Sequence, residues 1–375
     1  MFYRDTWAEV NLDAFQHNVR YLQEKINGKA LFAVIKANAY GHGDGMIAKE
    51  AIRLGCPVLC VSSLDEAISL RNQGIDSDVF ILGFTNPHTI ETVLRYNVIT
   101  TVPSLEWMKH IVKYSVEGLR LHIKVNTGMN RLGVNTLAEI KEILALAEAN
   151  GCLVEGIFTH FRSSGWNVQG TQDQYDLFKS LVKSSGFSFK WIHCANSDAI
   201  LSFDDSFCNA ARAGIALFGL SDIVHENKHL QEVIRLYSRV SLIRSLKQGE
   251  RVGYDETYTA QNDESIAVIP LGYADGFSRS NQNHYCHIGV KPALIVGKIC
   301  MDQLMIRCDE SVKMGDIVEF IGEHRSIADI ESETGITPCE TMTALSDRIP
   351  RVYIKDNKVI GDINPRINRT DFIKD

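Results

Sequence analysis

From about residue 30 to residue 220 the chain alternates short apolar, β-branched runs with longer segments whose apolar positions recur at helical spacing. LFAVIK (31–36), VLCVSS (58–63), VFILG (79–83), VITTV (98–102), RLHIKVN (120–126), VEGIFTHF (154–161), KWIHCAN (190–196) and RAGIALFG (212–219) read as strands. Segments such as GMIAKEAIRLG, SLDEAISLRNQG and TLAEIKEILALAEANG read as the helices between them. Strand and helix in alternation predict βα units around a parallel sheet. Eight such strands predict an α/β barrel, the (β/α)8 TIM-like fold. A polar stretch, DIVHENKHLQEVIRLYS, reads as helical. Beyond it the runs shorten and alternate in VSLIRSL, SIAVIPLG, HIGVKPALIVGKI, DQLMIRC and DIVEFIG, which predicts a mostly antiparallel β domain. The expected division is a barrel over 9–230 and a β domain over 231–375, joined by residues 1–8.

Composition narrows the partners. A net charge of −7, with basic residues scattered along the chain, argues against nucleic acid. The first twenty residues carry charges every few positions, so they form neither a signal-peptide core nor a membrane helix, and a cytoplasmic location is expected. The nine cysteines contain no C-x-x-C pair. They read as buried free thiols in a reducing compartment, with no metal site expected.

In a barrel of this kind chemistry sits at the C-terminal ends of the strands. Lys36 ends the first strand, in VIKANAYGHG, where partial desolvation turns a lysine toward the neutral amine that condenses with an aldehyde. It reads equally as a strand-end lysine that keeps its ammonium in water. The fifth strand leads into TGMNRLG and places Arg131 on a Gly-flanked loop, where a guanidinium can fork onto a carboxylate. His160 ends the sixth strand, Asn196 and Ser197 follow the seventh, and Arg212, Gly214 and Ile215 stand on the eighth. The loops after the last two strands are the usual phosphate cradle of such barrels. Singly, each residue also reads as structural. Together they place a lysine, an anion cradle, an arginine and a histidine around one cavity.

The segments AVIKANAYGHG, KVNTGMNRLGV, GIFTHF, HCANSDA, RAGIALFGL, VGYDETYTA, IPLGYADGFSR, VGKICMDQLMI and RIPRVY resemble, in order, the successive motifs of the alanine racemase family. The resemblance spans essentially the whole chain. It implies pyridoxal phosphate as cofactor, alanine as substrate, a role in supplying D-amino acids for peptidoglycan, and a homodimer with shared active sites. Lys36 would hold the cofactor and move the proton on one face of the substrate Cα; Tyr254, from the second subunit, would serve the other. A hydrogen-bonded chain from Tyr254 through His160 to Arg212 would help the phenol act as a base, and Arg212 would face the pyridine nitrogen. The resemblance further assigns Tyr40, Asn196, Ser197, Gly214 and Ile215 to the cofactor and Arg131, Met301, Asp302 and Tyr273 to the substrate. Lys124 matches a lysine often carbamylated in this family; on its own it reads as an ordinary alternate residue of a strand.

Two positions depart from the family pattern. TALSDRIPR carries Asp347 where many members have a tyrosine, and FRSSGWNV leaves Gly165 in the loop 162–167 where a gate carboxylate is common. A carboxylate at 347 can accept a hydrogen bond from a substrate hydroxyl, which points to serine alongside alanine. At this point the chain resembles the serine/alanine racemase domains of vancomycin-resistance systems, which sit in longer membrane proteins. Alternatively, Asp347 forms a salt bridge with Arg348 or Arg351. Other readings are a pyridoxal-phosphate decarboxylase of the same architecture, which would place an acid opposite the pyridine nitrogen where this chain has Arg212, and a non-catalytic pyridoxal-phosphate carrier, which needs only the barrel.

Overall fold

A computed structural model describes residues 3–367; residues 1–2 and 368–375, included in the expected boundaries, lie outside the described residues. Contacts divide the chain into two units. One gathers the chain up to Asp13, Tyr40–His42 and the chain from Glu232 onward; the other is Ala14–Ala39 with Gly43–Gln231.

The first strand, β1 (Thr6–Asn11), belongs to the former unit. The latter is a closed barrel of β2 (Ala30–Val34), β3 (Val58–Val61), β4 (Asp78–Ile81), β5 (Ile99–Val102), β6 (Arg120–Lys124), β7 (Leu153–Phe158), β8 (Trp191–His193) and β9 (Ala210–Ala213). Every neighbouring pair is parallel, and β9 closes on β2. Helices cover such a sheet from outside and side chains fill it from within, so β3, β5 and β9 are buried along their whole length. The helices begin where the sequence supplies caps. Ser63, Ser104 and Thr136 each accept a backbone N–H, and Thr136 with Glu139 forms a capping box. One expected strand is shorter than RAGIALFG suggests. It stops at Ala213, and Ile215–Phe218 turns into a 3-10 helix that Gly219 ends in a left-handed conformation.

The sheet unit contains β10 (Ile234–Arg239), β11 (Leu242–Leu246), β12 (Arg251–Val252), β13 (Tyr258–Thr259), β14 (Glu264–Ile269), β15 (Tyr285–Ile288), β16 (Lys291–Val296), β17 (Leu304–Cys308), β18 (Ile317–Ile321), β19 (Arg351–Lys355) and β20 (Lys358–Ile363). Ten strands form one sheet in the order β11-β14-β17-β16-β15-β18-β10-β1-β19-β20, antiparallel except for β1 with β19, while β12 and β13 pair separately. The helical reading of DIVHENKHLQEVIRLYS is corrected here. Only Val224–His229 is helical, as a 3-10 turn, and IRLYSR becomes β10. Its buried Ile234, Leu236 and Ser238 recur with period two, and β1 and β18 flank it on both edges, so strand pairing wins over the polar composition. All nine cysteines are free thiols, six of them buried.

Candidate functional site

After β2 the chain makes one left-handed turn. Ala37, Asn38, Ala39 and Tyr40 have φ of 53, 55, 52 and 52°. No residue here is glycine, and each L-residue in this region costs on the order of 1–2 kcal/mol, so the surroundings must hold the turn. Glu66 does part of this: its carboxylate accepts Ala37 N–H at 2.7 Å and Ser62 N–H at 2.6 Å. Asn38 does more, receiving Gly43 N–H at 3.0 Å on its carbonyl and Asp44 N–H at 2.9 Å on its side chain. A strained turn locked in this way fixes the residue that starts it, Lys36. Contrary to the expected desolvation, Lys36 is exposed. The buried lysine is Lys124.

Alternation along β6 explains why. Arg120, His122 and Lys124 share one face. Arg120 pairs with Asp78 and Glu155, each at 2.6 Å. His122 is wholly buried and Lys124 is 6% exposed. Gly156 on β7 makes room for the imidazole, since a Cβ there would lie 2.6 Å from His122 Nδ1. Lys124 Nζ sits 4.2 Å from the centre of the Phe158 ring. Burial, with the positive charges of Arg212 and Arg131, drives its pKa well below the usual lysine value, which favours the neutral amine.

Arg212 on β9 is also buried. The expected link from His160 to Arg212 is corrected: among the described residues no hydrogen bond joins them. Arg212 instead donates Nη1 to His193 Nδ1 at 2.6 Å and Nη2 to the carbonyls of Thr159 and Cys194 at 2.8 and 3.0 Å. His193, on the adjacent strand β8, is the nearer acceptor. With His193 Nδ1 accepting, its Nε2–H donates to His122 Nδ1 at 3.0 Å. Sequence reading passed over both histidines, although strand alternation puts His122 in line with Lys124 and could have found it. Burial and the nearby cations hold His193 well below the usual histidine range and His122 down to about 3. His160 is shifted the same way, by burial and then by Arg212, Lys124, Arg131 and Lys36.

That last set locates the site. Four basic side chains, Lys36, Lys124, Arg131 and Arg212, surround one imidazole, three of them as cations and Lys124 turned toward its neutral form by burial, and among the described residues none of the four is in a salt bridge. A mouth so charged is suited to anions. Next to it Ser197 Oγ accepts Gly214 N–H at 2.9 Å and Ala216 N–H at 3.3 Å, fixing the start of the 3-10 turn at Ile215. The first N–H groups of such a turn have no partner within it. Asn196 caps the helix Ser197–Ser202 through Oδ1, which also accepts the Ser164 hydroxyl at 2.7 Å. In the loop 162–167, Gly165 packs against Ile223, whose Cδ1 would be 3.2 Å from an added Cβ, and Trp166 is exposed.

The remaining candidates lie in the sheet unit. Tyr254 is 66% exposed and opens a 3-10 turn after Gly253, whose φ is 76°. Asp255 and Glu256 in that turn are paired with Lys298 and Arg251. Met301 and Tyr273 are interlocked: Tyr273 N–H donates to Cys300 O at 3.0 Å and Ala274 N–H to Met301 O at 3.1 Å, while Gly272 approaches so closely that a Cβ would lie 2.3 Å from Met301 O. Arg279 covers the Tyr273 ring. Arg348 pairs with Asp302 at 2.6 Å, and Asp347 pairs with Arg366 at 3.4 Å while its charge also acts on the expected Arg348 and Arg351. Arg351 spends its guanidinium on the carbonyls of Gly41, Leu345, Ser346 and Ile349. Tyr40 is buried in this unit, and burial pushes its phenol up.

Residues 10–222 match the family model described as alanine racemase, N-terminal domain, and residues 233–353 the one described as alanine racemase, C-terminal domain. An alanine racemase of Anoxybacillus flavithermus is 37% identical, covering 96% of this chain and 97% of its own. The crystal structure of alanine racemase from Bacillus anthracis with bound L-Ala-P superposes with a TM-score of 0.93 at 34% identity, covering 98% of this chain and 100% of that one. The alanine racemase of Bartonella henselae, solved with covalently bound pyridoxal phosphate, does so with a TM-score of 0.85 at 26% identity, covering 94% of this chain and 100% of its own.

Proposed function

The chain belongs to the alanine racemase family, and from that premise we propose that it interconverts L- and D-alanine, and L- and D-serine as well, with pyridoxal phosphate held at the barrel mouth. The observation that supports this most is the gathering of Lys36, Arg131 and Arg212, with the buried Lys124, around His160, none of them in a salt bridge among the described residues. A phosphate and a substrate carboxylate are the anions such a mouth takes, and Arg212, already bonded to His193 and two carbonyls, is the residue that would lie nearest the cofactor's ring nitrogen. Ser197, Gly214, Ile215 and Tyr40 hold the phosphate, Asn196 orders the turn beside it, and Lys36 holds the cofactor through its amine. The chemistry the bound cofactor supplies is withdrawal of electrons from the substrate Cα.

The chain does the rest. Arg212 cannot readily give up a proton, so beside a pyridine nitrogen it would not supply one and would temper that withdrawal. Arg131 holds the substrate carboxylate together with the Met301 N–H of a second protomer, whose Asp302 and Tyr273 stand by that group. Lys124, kept neutral by burial, is the amine able to take up carbon dioxide, and the resulting carbamate would orient Arg131. Lys36 takes or returns the Cα proton on one face, and Tyr254 of a second protomer serves the other, so the working unit is a homodimer. Asp347 accepts the serine hydroxyl. The product fits a cytoplasmic supply of D-amino acids to peptidoglycan.

Borohydride reduction of the purified protein, followed by peptide mapping, tests the premise: the cofactor is expected on Lys36. Reduction that labels another residue, or none, overturns it. A carrier would bind the cofactor without exchanging substrate protons. Exchange of the alanine α-proton with deuterated water in the wild type, with turnover of both enantiomers, excludes that reading.

A further inference from the structure

At the joint between β8 and β9, close enough to act on Arg212, three side chains converge with no part in the chemistry above. Cys194 follows the end of β8, Cys208 stands two residues before β9, and Asp205 lies on the loop between them. All three are buried, and one ligand atom from each lies within 4.8 Å of the others. Cys208 Sγ is 3.4 Å from Cys194 Sγ, which is 3.1 Å from Asp205 Oδ2. The second carboxylate oxygen is fixed by Cys208 N–H at 3.1 Å, so the acid is aimed before any ligand arrives.

We propose that Cys194, Asp205 and Cys208 bind one thiophilic divalent cation, such as zinc, independently of the racemase site. Two thiolates and a carboxylate are the donors such an ion prefers. The spacing agrees: zinc with Zn–S bonds near 2.3 Å in tetrahedral geometry holds two sulfurs roughly 3.7 Å apart, a few tenths of an ångström from what is found. A disulfide would need the sulfurs to close to about 2.05 Å, more than an ångström of movement in a packed barrel. Charge agrees as well. Lys29 Nζ lies 3.9 Å from Asp205 Oδ2, so the site without metal is neutral. As the ion enters, the two thiol protons leave, and one dication replaces two protons with no change in buried charge. A cleft of about 440 Å³ lined by Lys29, Ala195, Phe203 and Asp205 reaches the carboxylate of the set, while both thiols lie behind its wall.

Cadmium chloride added to chelator-treated holoenzyme tests the site. The expected result is an ultraviolet thiolate-to-cadmium absorption band that saturates at one ion per chain, a single cadmium NMR resonance in the mixed sulfur and oxygen range, displacement by zinc, and a melting temperature that climbs with cadmium. Cys208→Ser should weaken binding at least tenfold, and Cys152→Ser, altering a buried thiol elsewhere, should not. No band in the wild type, or a band that survives Cys208→Ser, overturns the proposal. The wild-type titration stands whether or not the variant folds. Binding is read without turnover, so failure of this site leaves the racemase reading untouched.

Discussion

The two units hold their candidate residues by different means. In the barrel, Lys124, His193, Ser197 and Arg212 are all less than a tenth exposed and are positioned by strand ends, carbonyls and one another. In the sheet unit, Tyr254, Tyr273 and Met301 are 66, 37 and 52% exposed, on turns tied by backbone bonds and surface ion pairs. The barrel therefore behaves as a preorganised mouth in which buried residues such as His193 fix the geometry of the ones beside them. The sheet unit presents side chains outward, as a face that completes another molecule's site would. Substitutions should separate the two.

The largest effect is expected at Tyr254. Removing a proton-transfer group costs about 10²–10⁴-fold in rate, and because the residue is exposed, Tyr254→Phe should leave melting temperature and cofactor content as they are. On the proposed two-sided arrangement, exchange of the α-proton in deuterated water should collapse for one enantiomer and persist for the other, whose proton would face Lys36. Equal loss for both enantiomers would sink the two-sided arrangement.

A smaller effect, of the opposite character, is expected at His193. His193→Leu leaves Arg212 Nη1 without its 2.6 Å acceptor inside the barrel, and an unsatisfied buried donor costs about 1–3 kcal/mol. Both the melting temperature and the affinity for pyridoxal phosphate should fall, the latter readable by equilibrium dialysis. Arg251→Ala, which breaks an exposed pair with Glu256 beside Tyr254, should cost no more than about 1 kcal/mol. A harmless His193→Leu would break the contrast between the units.

Acid and base sharpen it further. Unfolded, a histidine takes its proton near pH 6.5, whereas folded His122 resists down to about 3. The unfolded chain thus binds more protons between those values, so this contribution is whole above about pH 6.5 and is lost as pH falls toward 3, by up to about 1.4 kcal/mol per pH unit for each such histidine. Glu232 in the sheet unit works the other way. Burial pushes its carboxyl up to about 7, so stability present below about pH 4.3 is lost as pH rises toward 7. Hydrogen exchange measured separately in β6–β8 and in β10 and β18 should show opposite pH slopes, flattened by His122→Asn and Glu232→Gln respectively. Parallel slopes would refute the assignment.

What could be read in advance follows the same divide. Barrel strands announce themselves as unbroken apolar runs because both faces are buried, and their C-terminal ends pointed directly to Lys36, His160, Ser197 and Arg212. β10 was misread because its inward residues are only three and two of its three outward ones are arginines, so composition outweighed a short period-two signal. The partner of Arg212 was misread for another reason: sequence order sets strands side by side but does not say which of several nearby acceptors a guanidinium takes. His193 takes it by lying on the adjacent strand. The exposure of Lys36 was hidden too, since burial at a strand end depends on what surrounds the mouth.

The smallest effect concerns Asp347, an acid of the sheet unit. Its pair with Arg366 is 3.4 Å long and half exposed on the arginine side, so it is worth about 0–1 kcal/mol and its loss should not disturb the fold. One hydrogen bond to a substrate hydroxyl is worth about 0.5–1.5 kcal/mol, which sets a shift of roughly 2- to 10-fold in the serine-to-alanine ratio of kcat/KM. Asp347→Tyr should lower that ratio by this amount with alanine turnover largely kept. Asp347→Asn, which retains an acceptor, should keep most of the serine activity. An unchanged ratio in Asp347→Tyr would return the residue to a plain surface ion pair, and the basis of serine recognition would then have to be sought at the barrel mouth.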